Sequence, residues 1–387
     1  MKVIYCLPQL FMPGGIERIC TIKANYFADI LKWDVVIITA EQKNLPTYYK
    51  LSEKVRLIDL AIPYSSMLSQ NLCSRIITKY HLQKLHKSKL EGILYSEHAD
   101  IVVSTLTHEV NFITEIKDGS KKVLEFHFCK GHKRKMANAF HYDLITKIAY
   151  YAQCWREENI IVPRFDKFVV LTNEDMQLWR STTSNVKCIP NILPFENTET
   201  AKLAAKRVIA VGRYDAQKRF DHLIRIWAKV SKKHPDWVLD IYGQGKDKEN
   251  LTKLITDLGC KSNIILHSPS HNIQQCYLDS SIFVMTSTYE GLPMTLLEAN
   301  ALGLPSICYD FTCGPKDVIE NGVNGFIVRE GDLDAFADRL DLLMSDDNLR
   351  VNMGNKAYVL SKRFSIDVIM RKWVELFENL NNKSYGE

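Results

Sequence analysis

The stretch Ile282-Phe283-Val284-Met285-Thr286-Ser287-Thr288-Tyr289-Glu290-Gly291-Leu292-Pro293-Met294-Thr295-Leu296-Leu297-Glu298-Ala299 carries the most information in the chain. Four apolar residues form a buried strand, small polar residues form a loop, and an apolar run then continues at helical spacing. Pro293 suits the first helical turn, where its missing N–H costs nothing. Glu290 then lies in the loop and Glu298 nearly two turns inside the helix. Amide groups at Met294, Thr295 and Leu296 would point outward from the helix end, an arrangement that suits phosphate oxygens. Two carboxylates eight positions apart can accept hydrogen bonds from hydroxyls at opposite ends of an elongated polar ligand. The alternative for Glu298 is a solvated helix face. Leu297, Ala299 and Ala301 beside it are apolar, which argues against full exposure.

The same strand–loop–helix unit recurs on both sides. Strands are expected at 208–211, 238–242, 264–267 and 305–308, with helices at 221–233 and 292–302. Upstream, strands are expected at 3–7, 35–38, 55–58, 101–104, 122–126 and 168–171, with helices at 16–31 and 73–94. Alternating strands and helices predict parallel sheets covered on both faces. The fold class is therefore α/β, with two doubly wound domains. Residues 191–193 and 197–200 read as a linker, so the domains are expected at 1–190 and 191–363. Such domains place ligand sites at the carboxyl ends of their strands, and two facing domains would enclose a cleft.

The loops at those strand ends supply further candidates. Pro13-Gly14-Gly15 precedes a helix, and paired glycines let backbone amides approach an anion; a plain turn is the bland reading. Val211-Gly212-Arg213 is followed by Lys218, so that a planar fork and a point charge can converge on a diphosphate. A solvated basic turn is the alternative there. Tyr242-Gly243-Gln244-Gly245-Lys246-Asp247-Lys248 departs from a dinucleotide fingerprint, because Lys248 replaces the third glycine and the strand is not the first of its series. Gly243 is expected to shape a tight turn.

Composition limits the possible classes. Hydrophobic residues make up 46% of the 387 and charged residues 25%, which excludes a disordered chain. No uninterrupted apolar run is long enough to span a bilayer. The short apolar amino terminus reads as a strand rather than a signal peptide. Ten scattered cysteines lack metal-knuckle spacing and suit reduced thiols in a cytoplasmic protein. Up to Phe195 there are 26 Lys+Arg against 19 Asp+Glu, and after it 24 against 26, matching the totals of 50 and 45. A basic first half favours polyanions, diphosphates or lipid headgroups. No helix-turn-helix or aromatic RNA-binding signature accompanies that charge, so no nucleic-acid partner is expected.

Taken together these residues resemble the retaining glycosyltransferases of family 4, which have the GT-B fold. The resemblance rests on Glu290 and Glu298 with Glu-Gly-Leu-Pro between them, and on Val211-Gly212-Arg213 with Lys218. Pro13-Gly14-Gly15, Ile189-Pro190-Asn191 and Asn321-Gly322-Val323-Asn324-Gly325-Phe326 match in the same order. It is dense from about Lys187 to Val328 and sparse elsewhere in the first half. It implies that Glu298 binds ribose hydroxyls and Glu290 those of the donor sugar. Arg213 and Lys218 would neutralise the diphosphate and the Gly15 amide would approach the β-phosphate. Gly14, Gly212, Gly243, Gly291, Met294, Thr295 and Leu296 would border the donor. A cleft-facing histidine is implied after a first-domain strand; His127 in Glu125-Phe126-His127 fits best, with His98 and His108 as competitors.

The resemblance further implies that segment 364–387 crosses back onto the first domain and that no metal or other cofactor is needed. The co-substrate would be a nucleotide diphosphate sugar, most often a uridine one. The acceptor would be a saccharide or an undecaprenyl-diphosphate-linked glycan of a surface polysaccharide such as capsule or lipopolysaccharide. Lys130 to Met136 with Phe140, Tyr142, Tyr150, Tyr151 and Trp155, and the second basic segment 75–90, suit peripheral contact at the inner face of a membrane. A sugar-nucleotide epimerase, a phosphorylase of the same fold, and a non-catalytic anion binder are the rival readings.

Overall fold

The computed structural model describes residues 1–69, 72–140, 142–195 and 199–382. Residues 197 and 198 of the segment read as linker at 197–200 and the last five residues of the segment 364–387 lie outside them. Among the described residues thirteen strands fall into two sheets. The first contains β1 (Lys2–Leu7), β2 (Asp34–Thr39), β3 (Val55–Asp59), β4 (Ile101–Ser104), β5 (Lys121–Phe126), β6 (Lys167–Val170) and β7 (Val186–Cys188). The second contains β8 (Arg207–Val211), β9 (Val238–Tyr242), β10 (Ile264–His267), β11 (Ile282–Met285), β12 (Ser306–Asp310) and β13 (Gly325–Arg329). Their spatial orders are β3-β2-β1-β4-β5-β6-β7 and β10-β9-β8-β11-β12-β13. Neighbouring strands are parallel in both sheets.

β7 and β13 were not visible in the sequence pattern. Both are short edge strands, and β13 begins inside the Asn-Gly motif, where turn residues mask the strand signal.

Period-two alternation explains the first sheet. Ile4 and Cys6 enter one core with Val36 and Ile38, whereas Val3, Tyr5 and Leu7 enter the other with Val35 and Ile37. Both faces are therefore apolar, and each needs a covering layer. Helix α1 (Gly15–Asp29) covers one face through Ile19, Ala24 and Phe27, and α2 (Leu72–Glu97) covers the other through Leu82, Leu90 and Leu94. In both sheets the order reverses beside the first strand, between β1 and β4 and between β8 and β11. Loops diverge at such a point and leave a crevice at the strands' carboxyl ends.

The last helix, Ile366–Asn382, packs on the α1 side of the first sheet. Ile369, Met370, Trp373, Leu376 and Phe377 share its core with Val3, Tyr5 and Phe27. Where the chain crosses between domains the Leu193 amide donates to the Phe364 carbonyl at 3.0 Å, tying the two crossings together. Trp373 also lies over the buried Lys23 ammonium at 4.2 Å. Replacing Trp373 with alanine removes this contact and leaves a core void, so Trp373→Ala should cost about 3–5 kcal/mol in chemical denaturation. A loss within experimental error would show that the helix is dispensable to the first domain.

Candidate active site

The second domain builds half of the cleft from two loops that lock together. After β8 the chain turns through Gly212 to Arg219, and after β11 through Thr286 to Pro293. The Thr288 amide donates to the Gln217 carbonyl at 3.0 Å, Gln217 Nε2 donates to the Tyr289 carbonyl at 2.7 Å, and Thr286 Oγ1 donates to the Lys218 carbonyl at 2.8 Å. These bonds bring Lys218 and Glu290 together, with Nζ 2.7 Å from Oε1 and both side chains largely buried. The sequence had assigned the two to separate ligand groups, whereas here they neutralise one another. Arg213 lies nearby, bonded to Gln217 Oε1 at 3.0 Å and otherwise exposed. Gly243 packs so closely under this loop that a Cβ there would lie 1.9 Å from the Gly212 carbonyl oxygen.

Pro293 sits one position outside the helix that follows, as its N-cap with extended ψ of 90°, and the helix runs Met294–Ala301. Glu298 is therefore only its fifth residue, a little over one turn in. The Leu296 amide, expected to face outward, donates to the Pro293 carbonyl at 3.1 Å. Met294 and Thr295 hold the first two helical positions. Thr295 Oγ1 and Ser287 Oγ beneath them are buried without a hydrogen-bond partner, an expensive state unless a ligand or water completes it.

The first domain supplies the opposite wall. Gly14 caps α1 and Gly15 opens it, with free space where a Gly15 side chain would stand. One turn along, Arg18 reaches across the cleft to Glu298, Nη1 to Oε1 at 3.5 Å, and also bonds the Pro194 carbonyl at 3.3 Å. Tyr277 donates to the other Glu298 oxygen at 3.2 Å. Burial raises the Glu298 carboxyl to about 7, against the opposing pull of Arg18 and the Tyr277 bond. Glu17 lies beside Gly14, where a Cβ would meet its carboxylate, and burial raises its pKa as well.

His127 follows β5 and faces the same cleft, its Nε2 3.2 Å from Glu125 Oε1 but without hydrogen-bond geometry. Glu125 is bonded through both oxygens to Lys23. Burial pushes Glu125 up, but Lys23 and His127 outweigh it and hold the group at about 2. Across the cleft, Gly291 meets the His127 backbone: a Cβ there would lie 2.1 Å from the His127 carbonyl oxygen. Only a residue without a side chain lets the domains approach this closely. His127, Arg213, Glu290 and Gly291 border one interdomain cavity of about 440 Å³, together with Phe128 and Tyr142. His108 instead lines a separate first-domain pocket. His98 is the residue at the turn before β4, with φ of +48°.

Two arrangements bear on metal binding. Cys20, Glu125 and His127 place three potential ligand atoms close together. The Lys23 ammonium occupies both Glu125 oxygens and burial keeps the Cys20 thiol protonated, so this set suits a cation already present in the chain. Asp332-Leu333-Asp334 has a spacing suited to divalent ions. There, however, Asp332 caps the helix Leu333–Ser345 through the Ala335 amide and Asp334 pairs with Lys229.

Sequence reading missed Arg18, Glu17, Tyr277 and the Lys23–Glu125 pair. Arg18 and Glu17 sit within a turn of Gly14-Gly15, a proximity that could have marked them. Tyr277 and Lys23 come from distant segments and carried no local signal.

The sequence profile described as glycosyl transferases group 1 matches residues 195–359, the segment that bears Arg213, Lys218, Glu290 and Glu298. Residues 195–359 form a group 1 glycosyltransferase domain, and the chain is a glycosyltransferase. An uncharacterized glycosyltransferase of Haemophilus influenzae is 29% identical over 377 residues, 96% of this chain and 98% of that one. A Campylobacter jejuni N-acetyl-D-galactosaminyltransferase, named for a diphosphoundecaprenol-linked (PP-undecaprenol) acceptor, is 21% identical over 386 residues, 99% of each chain. Among solved structures, a mutant of S. aureus TarM in complex with fondaparinux, alpha-GlcNAc-glycerol and UDP superposes with a TM-score of 0.76 at 17% identity. It covers 97% of this chain and 100% of its own. That likeness establishes the GT-B fold for this glycosyltransferase.

The buried Glu298 carboxyl has a consequence for stability. Its folded pKa of about 7 lies above the ordinary 4.5, so the folded state binds this proton more tightly. The stabilisation is complete below pH 4.5 and is lost as pH rises through 7. Glu298→Gln, neutral throughout, should therefore gain on the parent enzyme between pH 4.5 and 8, by up to about 3 kcal/mol. Parallel stability profiles for the two proteins across that range would refute the shift.

Proposed function

We propose that this glycosyltransferase moves a hexose or N-acetylhexosamine from a nucleotide diphosphate sugar, with uridine as the base, to a saccharide or lipid-linked glycan of a bacterial surface polysaccharide. The observation that carries the reading is the convergence of Arg213, Glu290 and His127 on one interdomain cavity, with Lys218 paired to Glu290 and Glu298 on the neighbouring helix. The UDP in the TarM complex and the lipid diphosphate in the Campylobacter enzyme's name support the donor and acceptor classes. Amylovoran and lipopolysaccharide glycosyltransferases among the relatives support the pathway class.

In this reading the diphosphate lies between the open end of α1 at Gly15 and the Arg213–Lys218 loop. The ribose hydroxyls bond Glu298, and Glu290 takes hydroxyls of the donor sugar. The anomeric carbon–oxygen bond to the diphosphate breaks while the acceptor oxygen bonds to the same face of that carbon, so configuration is retained. The acceptor's hydroxyl proton passes to the departing phosphate oxygen, and no enzyme nucleophile is required. Lys218, released from Glu290 by the incoming phosphate, opposes the charge that grows on the leaving group. His127 borders the acceptor side, with the Glu125 carboxylate that Lys23 holds 3.2 Å behind its Nε2. Cationic side chains and helix amides thus take over the role of a metal.

Three substitutions separate the roles. Lys218→Ala should lower turnover by about 10²–10³ because its contact strengthens in the transition state. Glu298→Ala should chiefly weaken donor affinity, since hydroxyl contacts exist equally in the ground state. Glu290→Ala should impair both turnover and donor affinity, yet leave binding of free nucleoside diphosphate nearly intact in isothermal titration. If Glu290→Ala weakened the free diphosphate as much as Glu298→Ala does, this division would be wrong.

Transfer should also persist in EDTA. Activity lost to the chelator and restored by magnesium would overturn the cation-based account. Thermal shift with a panel of nucleotide sugars identifies the donor directly, because a ligand raises the melting temperature by mass action.

A further inference from the structure

Two helices of the first domain leave large apolar side chains in solvent. Helix α4 (Leu144–Arg156) buries only Cys154 among its residues. Leu144, Ile148, Tyr151 and Trp155 follow one another at helical spacing along it, and Ile145, beside them, is 81% exposed. The first turns of α2 extend past the core that holds its later residues, and Ile76, Ile77 and Tyr80 there are each more than 60% exposed. Contiguous exposed apolar surface of this kind costs solubility and marks an interaction face.

The charges carried on these two stretches are basic. From Leu72 to Lys89 there is no acidic residue, and the segment carries Arg75, Lys79 and Lys84. From Leu144 to Arg156 there is again none, with Lys147 and Arg156 present; Asp143, which caps α4, and Glu157, which follows it and pairs with Lys133, flank the helix. The basic run that the sequence offered for this role, most of it on α3 (His132–Ala139), behaves differently. Lys133 pairs with Glu157 and Arg134 with Glu158, and the Lys130 ammonium bonds the Leu178 carbonyl. Lys133 and Arg134 are thus neutralised inside the domain and Lys135 Nζ is buried, whereas α2 and α4 present their basic and apolar side chains to solvent.

Both helices border one pocket of about 380 Å³. Lys79 of α2 and Arg156 of α4 line it opposite Pro8 and Thr107, which follow β1 and β4 at the carboxyl edge of the sheet. We propose that the exposed faces of α2 and α4 dock the enzyme on an anionic lipid bilayer, with the cationic pocket between them opening toward the headgroups. Apolar and aromatic side chains enter the interface while lysines and arginines meet the lipid phosphates. The proposal deepens the acceptor reading above and rests on it, since a lipid-linked acceptor would present its diphosphate at this depth.

Sedimentation of the full chain with vesicles of equal phosphatidylglycerol and phosphatidylcholine tests it. Binding should be strong at low salt, weaken as salt rises, and be slight on pure phosphatidylcholine. The double variant Ile145→Ser, Trp155→Ser should bind about tenfold less, while its transfer to a water-soluble saccharide stays at the parental level. Trp155 fluorescence should shift to the blue on vesicle addition, and Trp155→Phe should remove that shift while retaining binding. Equal binding by parent and double variant, or equal binding to both vesicle types, overturns the proposal. So does a parent that ignores vesicles but forms a dimer that the double variant breaks, which would assign the face to a second copy. Failure of the parent to transfer sugar to any soluble acceptor would count against the acceptor reading instead, and leaves the vesicle measurement to stand by itself.

Discussion

Burial of both faces of two parallel sheets is the constraint on which this structure depends. β1 and β2 send alternate side chains into two separate cores, so each sheet needs helices above and below it. Parallel strands can be joined only by crossovers, and crossovers return every loop of one kind to the same edge. The cleft is the product of two such edges facing one another. Its chemistry sits on loops, but their positions are set by strands whose side chains are mostly buried.

Within the cleft, charge is balanced before any ligand arrives. Lys218 holds Glu290, Arg18 holds Glu298, and Lys23 holds Glu125. An isolated buried charge is costly, so partnering these groups lets the ligand-free protein fold with its polar machinery in place. The first two pairs lie at the cleft, where hydroxyl and phosphate groups can exchange with them. The third is fully enclosed between Tyr5 and Trp373. It therefore serves as fixed scaffolding behind His127, and it couples the last helix to the cleft wall.

The second domain's part of the site was largely legible because its parts are close in sequence. Glu290 and Glu298 flank one loop and one helical turn, and Arg213 and Lys218 share another loop. Even there the register needed correction at Pro293 and Leu296, where a cap and an amide satisfied by the cap's carbonyl are decided by backbone dihedrals. The first domain was harder to read. Arg18 is marked in its own segment only by nearness to Gly14-Gly15; it matters because the other domain places Glu298 within 3.5 Å of it. The basic run at Lys130 to Arg134 pointed to a surface, and tertiary contacts with Glu157 and Glu158 removed it.

By itself, then, the sequence determined the alternation of strands and helices, the two-domain α/β architecture and the loop motifs of a glycosyltransferase. These follow from hydrophobic period and from residue types at short spacing, which are local properties. Only the tertiary structure decided which charges face one another, which apolar residues stay in solvent, and that Gly291 meets the His127 backbone across the cleft. Those depend on how two separately wound sheets come together, and no single segment carries that information.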